Sequence, residues 1–331
     1  MTTHLPPFGY LRPSTIEEAA RTLAELGSSA VLLGGGTDLV PNLKRRQISP
    51  STVVSLGAIE SLREIRIDDD GTAIIGASTK LSELARSSEL PPAIVTAASL
   101  VASPQIRNSA TVGGNLCLDT RCNYIDMPEL WRQASGPCMK EGGDVCWVAP
   151  KSNRCWAICS SDLVPVCIAL EASVRLFSSR GERVLPVEEL WRNESDGIEY
   201  LTKQPDEIIT ELIIPPASDH RATYQKLRRR GSIDFPILGV AAALRLDEAD
   251  YCRDVRIVLG AIAPAPLRPT EAEQYLEGGP LTDERIEEAS ELAGKIVRPQ
   301  DNADLGSRYR KWMASVHVRR ALQELASREQ P

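Results

Sequence analysis

Cys122, Cys138, Cys146 and Cys155 fall within one stretch of the chain that holds no histidine. Four thiolates suit two centres, a tetrahedral zinc ion or a [4Fe–4S] cube, because both accept Cys₄ ligation. Zinc sites usually show C-x₂-C pairs, and none occurs here. The wide spacing is better suited to wrapping a larger cluster, so iron–sulfur is favoured and zinc stays open. Ordinary buried free thiols are the weaker reading, because a polar, glycine-rich stretch offers little core to bury them in. Trp131, Trp147 and Trp156 lie in the same stretch, as do Cys117 and Cys159.

Two glycine loops lie on the N-terminal side of these cysteines. The first, Gly34-Gly35-Gly36-Thr37-Asp38-Leu39, follows the apolar run Ala30–Leu33. Missing side chains let backbone N–H groups approach a diphosphate closely, and Thr37 adds a hydroxyl. G-x-G-x-x-G is absent and Pro41 falls where a Rossmann helix would run. No Gly-Lys-Ser/Thr follows, so the loop is not a P-loop either. A tight turn explains three glycines about as well as a phosphate cradle does. The second loop, Thr111-Val112-Gly113-Gly114-Asn115, strengthens the cradle reading, since two such loops suit opposite sides of one extended ligand. Beyond the cysteines comes Ser161-Asp162-Leu163-Val164-Pro165. Asp162 suits either a ribityl or ribose hydroxyl or the N-cap of the helix that follows.

The elements that must position these residues follow from length, patterning and turn residues. The chain has 331 residues, 25% charged and 42% hydrophobic, with net charge −7, enough for two or three units with their own cores. No basic block suggests a nucleic-acid surface, and Leu227-Arg228-Arg229-Arg230-Gly231 reads as a solvated turn or partner contact. No apolar run approaches the roughly 18 residues of a membrane span. Met1–Tyr10 lacks the pattern of a secretory signal, so the eight cysteines are expected in reducing cytosol, where crowded thiols bind metal or do redox work. The Ser14/Glu17 spacing predicts a capping box, followed by a helix with Ile16, Ala20 and Leu23 on one face and Gly27 as its stop. Strands are predicted at Ala30–Leu33, Val53-Val54, Ala73–Gly76 and Glu207–Ile214, with a hairpin of Ser173–Phe177 and Glu182–Leu185. Helices are predicted at Lys80–Arg86, Pro92–Val101 and Asp162–Leu170. Near His220 a second unit begins, with strands Val240–Leu246 and Val255–Ile262 and helices Thr282–Ala293 and Leu305–Ala326. In the last helix Tyr309, Trp312, Met313 and Val316 are expected to pack into the core.

Taken together, Leu32–Leu39, Ser109–Asn115, Ser161–Pro165 and Tyr224-Gln225-Lys226 resemble the flavin-binding middle subunit of the xanthine dehydrogenase family, in the same order over nearly the whole chain. The resemblance implies an α+β fold: a two-subdomain FAD-binding fold of the vanillyl-alcohol-oxidase type, with an iron–sulfur loop insertion and a small α+β C-terminal domain. The implied boundaries are 1–56, 57–217 with the insertion at 121–160, and 218–331. Carried over residue by residue, Leu32, Leu33, Gly34, Gly35, Gly36, Thr37, Asp38 and Leu39, with Thr111, Gly113, Gly114 and Asn115, are expected to cradle the FAD. Leu118, Asp162 and Ile209 complete the expected FAD contacts, Ile209 against the isoalloxazine. Lys226 is expected near the ring, where a cation stabilises the reduced anion; a surface lysine on a strand is the plain alternative.

Most members of that family pass almost directly from the Gly-Gly-Asn loop to the Ser-Asp-Leu segment. Here roughly forty residues intervene, a length that is usually functional. The inserted segment is similar to that of the β subunits of 4-hydroxybenzoyl-CoA reductases, on Asn115–Cys122, Cys138-Met139-Lys140, Gly143–Cys146 and Arg154-Cys155. This implies a [4Fe–4S] cluster on Cys122, Cys138, Cys146 and Cys155, with Cys117 and Cys159 as bystanders and Cys167 and Cys252 in the core. It further implies an electron-transfer subunit with no substrate site of its own. Its partners would be a large molybdopterin subunit and a small [2Fe–2S] subunit in a dimer of heterotrimers, with ferredoxin or a similar carrier as donor. The reaction implied is reductive dehydroxylation of an aromatic CoA thioester. Three rivals are an oxidative molybdenum hydroxylase subunit, a stand-alone flavin oxidase and a zinc scaffold. His4, His220 and His317 all lie outside the flavin motifs, which disfavours the oxidase.

Overall fold

The computed structural model describes residues 4–192, 196–217 and 219–327. The first layer is a parallel sheet of β1 (Gly9–Leu11), β2 (Ala30–Leu33) and β3 (Thr52–Ser55), in the order β1-β3-β2. Helix α1 (Ile16–Leu26) joins β1 to β2 and buries Ala19, Ala20 and Leu23. The short α2 (Leu39–Lys44) starts where the first glycine loop ends and keeps Pro41 within its first turn, where the missing N–H does no harm. The capping box lies one residue later than the expected Ser14/Glu17. Thr15 accepts from Glu18 N at 3.2 Å, and the Glu18 carboxylate accepts from Ser14 N at 2.8 Å.

The second layer is a five-stranded antiparallel sheet. Its strands are β4 (Ile65–Ile67), β5 (Ala73–Gly76), β6 (Ser173–Ser178), β7 (Gly181–Pro186) and β8 (Ile208–Ile214), ordered β4-β5-β8-β6-β7. Between β5 and β6 run α3 (Leu81–Leu84), α4 (Pro92–Leu100), α5 (Pro104–Arg107), α6 (Val112–Leu116), α7 (Glu129–Ser135) and α8 (Leu163–Ala169). A one-turn α9 (Val187–Leu190) follows β7. The main core joins this sheet to α4, α6 and α8 and runs on to Tyr224, Ala241, Ala243 and Val258 of the C-terminal unit, and every residue of α8 is buried. Cys167, as expected, is fully buried there.

The third unit is a meander of β9 (Arg221–Leu227), β10 (Leu238–Leu246) and β11 (Cys252–Gly260), ordered β11-β10-β9. It is covered by α10 (Thr270–Leu276), α11 (Asp283–Lys295) and α12 (Ser307–Ala326). The expected stripe on α12 is corrected: Trp312 is 63% and Tyr309 41% exposed, while Met313, Ala314, Val318, Ala321 and Leu322 are buried. The true buried face includes Arg310 and His317, so two polar side chains disguise its period. Arg310 is wholly buried and donates to Ile237 O, Gln300 O (2.8 Å), Ala261 O and Asn302 Oδ1 (3.1 Å). Burial pushes its guanidinium down to about 10, opposed by the charge of Asp301.

Carboxylates on and just before β8 tie the five-stranded sheet together. Glu207 accepts from Arg183 at 2.7 and 2.8 Å, and Glu211 from Arg175 at 2.8 Å and Arg66 at 3.2 Å. The Arg183 hydrogen bonds hold Glu207 below its ordinary 4.5, and Glu211 is also lowered although burial opposes it. A depressed carboxylate contributes stability that is present above its unfolded value and lost as pH falls through the folded one. The melting temperature is therefore expected to hold above pH 4.5 and to drop below it. Glu207→Gln should flatten that acid slope, as read by circular dichroism melts across pH.

Candidate flavin site and cysteine cavity

The two glycine loops touch. A Cβ on Gly35 would overlap the Ser109 carbonyl oxygen, and one on Gly34 would lie 2.7 Å from Thr111 Oγ1. Only glycine lets the segments approach this closely. The loops differ in the donors they leave free. In the second, Gly113 N donates to Ala77 O (2.8 Å) and Gly114 N to Thr111 Oγ1 (3.2 Å), so these N–H groups are already engaged. In the first, the N–H groups of Gly35, Gly36, Thr37 and Asp38 have no acceptor among the described residues. Four consecutive unpaired donors in a half-buried turn are the kind of group that an anion such as a diphosphate takes up.

Asn115 and Ser161 close the two halves of the site on each other. Asn115 Oδ1 accepts from Ser161 Oγ at 2.7 Å and Leu163 N at 3.3 Å, and Ser161 Oγ accepts from Val164 N at 3.1 Å. Ser161 thus caps α8, and Asp162 makes no capping bond. Asp162 instead accepts from Tyr224 Oη at 2.8 Å and Lys226 Nζ at 2.9 Å, all deep in the protein. Lys226 also donates to Leu100 O (2.9 Å) and Asp234 O (3.1 Å). Burial raises the Asp162 carboxyl and lowers the Lys226 amine, each opposed by the other's charge. Lys226 is therefore a buried, paired cation and not a surface lysine. Ile209 is buried in the main core, and Leu118 is buried at the start of the insertion.

The structure brings Cys122, Cys138, Cys146 and Cys155 to the lining of one small cavity, with Tyr124, Ile125, Met139, Lys140, Trp147 and Ala157. All four thiols are at most 9% exposed, so the insertion has a core of its own, contrary to the expectation from its composition. Burial pushes the Cys122 thiol up to about 12 and the Cys155 thiol up to about 11, the latter opposed by Lys140. No group of three or more His, Cys, Asp or Glu side chains among the described residues is placed to hold a single metal ion. Lys140 stands beside the cavity and donates to Asp119 Oδ1 (2.7 Å), Gly197 O (2.9 Å) and Thr120. Tyr124 packs against Trp131 and Trp147 with ring centroids 6.3 and 6.4 Å apart.

Some site residues are not evident from motifs. Arg121 reaches Asp38, Asn42 (3.3 Å) and Asp126 (3.1 Å), and its guanidinium lies 4.7 Å from the Phe235 ring. Asp119 N donates to Asp38 Oδ2 at 3.3 Å. Burial raises the Asp38 carboxyl, opposed by Arg121. These partners lie far apart in sequence, and no local pattern marks them. Tyr224 was detectable, since residues two apart on a strand share a face with Lys226.

A loop of free N–H groups thus meets a second glycine loop, and the family matches give this fold its class. Residues 6–217 match the family described as the FAD binding domain in molybdopterin dehydrogenase, and residues 222–325 match the CO dehydrogenase flavoprotein C-terminal domain. The chain belongs to this family of FAD-binding oxidoreductase subunits. It is 28% identical to the carbon monoxide dehydrogenase medium chain of Hydrogenophaga pseudoflava, over 96% of each chain. It is 26% identical to the xanthine dehydrogenase FAD-binding subunit of Escherichia coli O157:H7, over 95% of this chain and 94% of the relative. A solved carbon monoxide dehydrogenase from Hydrogenophaga pseudoflava superposes with a TM-score of 0.80 at 27% identity, covering 97% of both chains. Among the described residues no helix is long and apolar enough to cross a membrane.

Asn115→Ala removes the acceptor of two buried donors, which costs about 1–3 kcal/mol. A lower urea midpoint is expected, and a midpoint equal to wild type would show that the Asn115 contact does not hold the two halves together.

Proposed function

We propose that this chain is the FAD-carrying electron-transfer subunit of a molybdenum enzyme complex, and that its insertion carries a [4Fe–4S] cluster on Cys122, Cys138, Cys146 and Cys155. The observation that supports the cluster is the convergence of these four thiols on one cavity. Bound FAD would supply two-electron storage and one-electron release, and the cluster one-electron exchange. The partners proposed are a large molybdopterin subunit and a small [2Fe–2S] subunit in a dimer of heterotrimers, with ferredoxin or a similar low-potential donor.

For the flavin, the chain's contribution is binding and charge placement. The N–H groups of Gly35 to Asp38 would hold the diphosphate, with the Thr37 hydroxyl as a further donor. Gly113 and Gly114 contribute by close approach and not by donation, because their N–H groups are spent. Asp162 and Lys226 are proposed at the ribityl and ring side. Both Asp162 oxygens are engaged by Tyr224 and Lys226, so its first task is to keep that cation in place.

The reaction proposed for the complex is reductive removal of an aromatic hydroxyl from a 4-hydroxybenzoyl-CoA-type thioester, with the cysteine cavity as the entry point for electrons. A second reading has its own support. Named relatives include dehydrogenases of carbon monoxide and xanthine, which favours oxidative chemistry with the cavity as an exit. Anaerobic turnover of the whole complex with reduced ferredoxin and thioester, against aldehyde or heteroaromatic substrate with an oxidant, separates the two.

The anaerobically purified chain is expected to show a flavin spectrum and about four iron atoms. Cys138→Ser or Cys146→Ser should lose most of the iron while keeping flavin, and unchanged iron in both would refute the ligand set. Gly35→Ala should lose flavin because its Cβ collides with Ser109 backbone, as read by FAD released per chain on denaturation.

A further inference from the structure

Helix α2 serves two sites at once. Its N-terminal side is the loop of free N–H groups, and the cysteine insertion is docked along the rest. Arg132, buried in the insertion, donates to Arg45 O (3.0 Å) and Arg46 O (3.3 Å) just past the helix end. Gln47 donates back to Asp126 Oδ1 at 3.3 Å. Arg121 sits at the junction. Its backbone pairs with Ile158 in both directions, at 2.9 and 2.7 Å, which draws together the segments carrying Cys122 and Cys155. Its side chain grips Asp38, Asn42 and Asp126. From Asp38 the contacts continue through Asp119 to Lys140 at the cavity wall.

The charges give this junction a task. Asp38 is the last of the four residues with free N–H groups, so its carboxylate opposes any anion seated there. Arg121 supplies the opposite charge from the insertion, at a site where solvent screens poorly. We propose that Arg121 is a positioning residue shared by both centres: it neutralises Asp38 so that the FAD diphosphate can bind, and it fixes the chain at Cys122 so that the cluster can seat. Flavin and cluster binding are then positively coupled, and the coupling is reciprocal. This rests on the cluster reading above.

The test uses the full-length chain, prepared anaerobically, with FAD affinity from flavin fluorescence titration and iron measured per chain. Arg121→Met is expected to weaken FAD binding about tenfold and to lower iron, and chelation of wild-type iron to weaken FAD binding comparably. Asp38→Asn combined with Arg121→Met should regain flavin affinity but not iron, because the carboxylate is gone while the grip on Asn42 and Asp126 stays lost. Arg121→Lys, which keeps the charge, should hold flavin near wild type and guards against misfolding. FAD affinity in Arg121→Met within about twofold of wild type, or a double variant no better than the single, overturns the proposal. Wild-type chain with flavin and no iron sinks the cluster reading and the coupling with it. A loaded wild type whose two sites ignore Arg121→Met sinks the coupling alone.

Discussion

A single side-chain oxygen, Asn115 Oδ1, determines how this chain can be both a flavin fold and something more. It accepts from Ser161 and from the first residue of α8, so the glycine loop and the helix behind it are locked across the base of the insertion. Because the ends are fixed by this contact, the segment between them closes a loop whose entropic cost grows only with the logarithm of its length. The insertion can therefore carry its own small core, thiol cavity and surface without loosening the main core beneath it.

Buried cations recur around the site, each held differently. Lys226 has Asp162 as a counter-charge and two carbonyls besides. Arg310 donates to three carbonyls and one amide oxygen, with Asp301 acting on it by charge. Arg121 pairs with Asp38 and Asp126 and Lys140 with Asp119, whose N–H reaches Asp38, so the chain of charges runs from the first glycine loop to the cysteine cavity. Buried charge is costly unless fully bonded, and these groups are bonded across elements distant in sequence, so they fix register between units more than they add stability. The arginine run at 228–230, in contrast, makes surface pairs, Arg229 with Asp304 and Arg230 with Asp234.

What the sequence made legible was local. β-branched runs, turn residues and glycine clusters placed β2, β3, β5 to β8, β10 and β11, while the short β1 and β4 and the polar-rich β9 went unpredicted; the resemblance picked out, from six cysteines, the four thiols that line one cavity. The misses have physical causes. Ser14/Glu17 and Thr15/Glu18 offer the same capping chemistry one residue apart, and only the extended backbone of Thr15 decides between them. On α12 the aromatic residues suggested a core face, yet the buried face holds Arg310 and His317, whose polarity hides the period. The pairing of Asp38 with Arg121 spans 83 positions in the chain, and no periodicity reports such a contact. The free donors of Gly35 to Asp38 likewise appear only once the neighbouring loop is seen to spend its own.

Asn302 gives the architecture an order in time. It accepts from Arg310 on the last helix, takes the N–H of Asn123 on its carbonyl at 2.9 Å and donates to the carbonyl of Trp156. Those two partners sit next to Cys122 and Cys155. A ribosome delivers the thiols long before it delivers α12, and domains form largely as they emerge. Nascent chains thus expose a half-fastened cysteine segment until α12 has emerged, and the latch on it arrives with that helix.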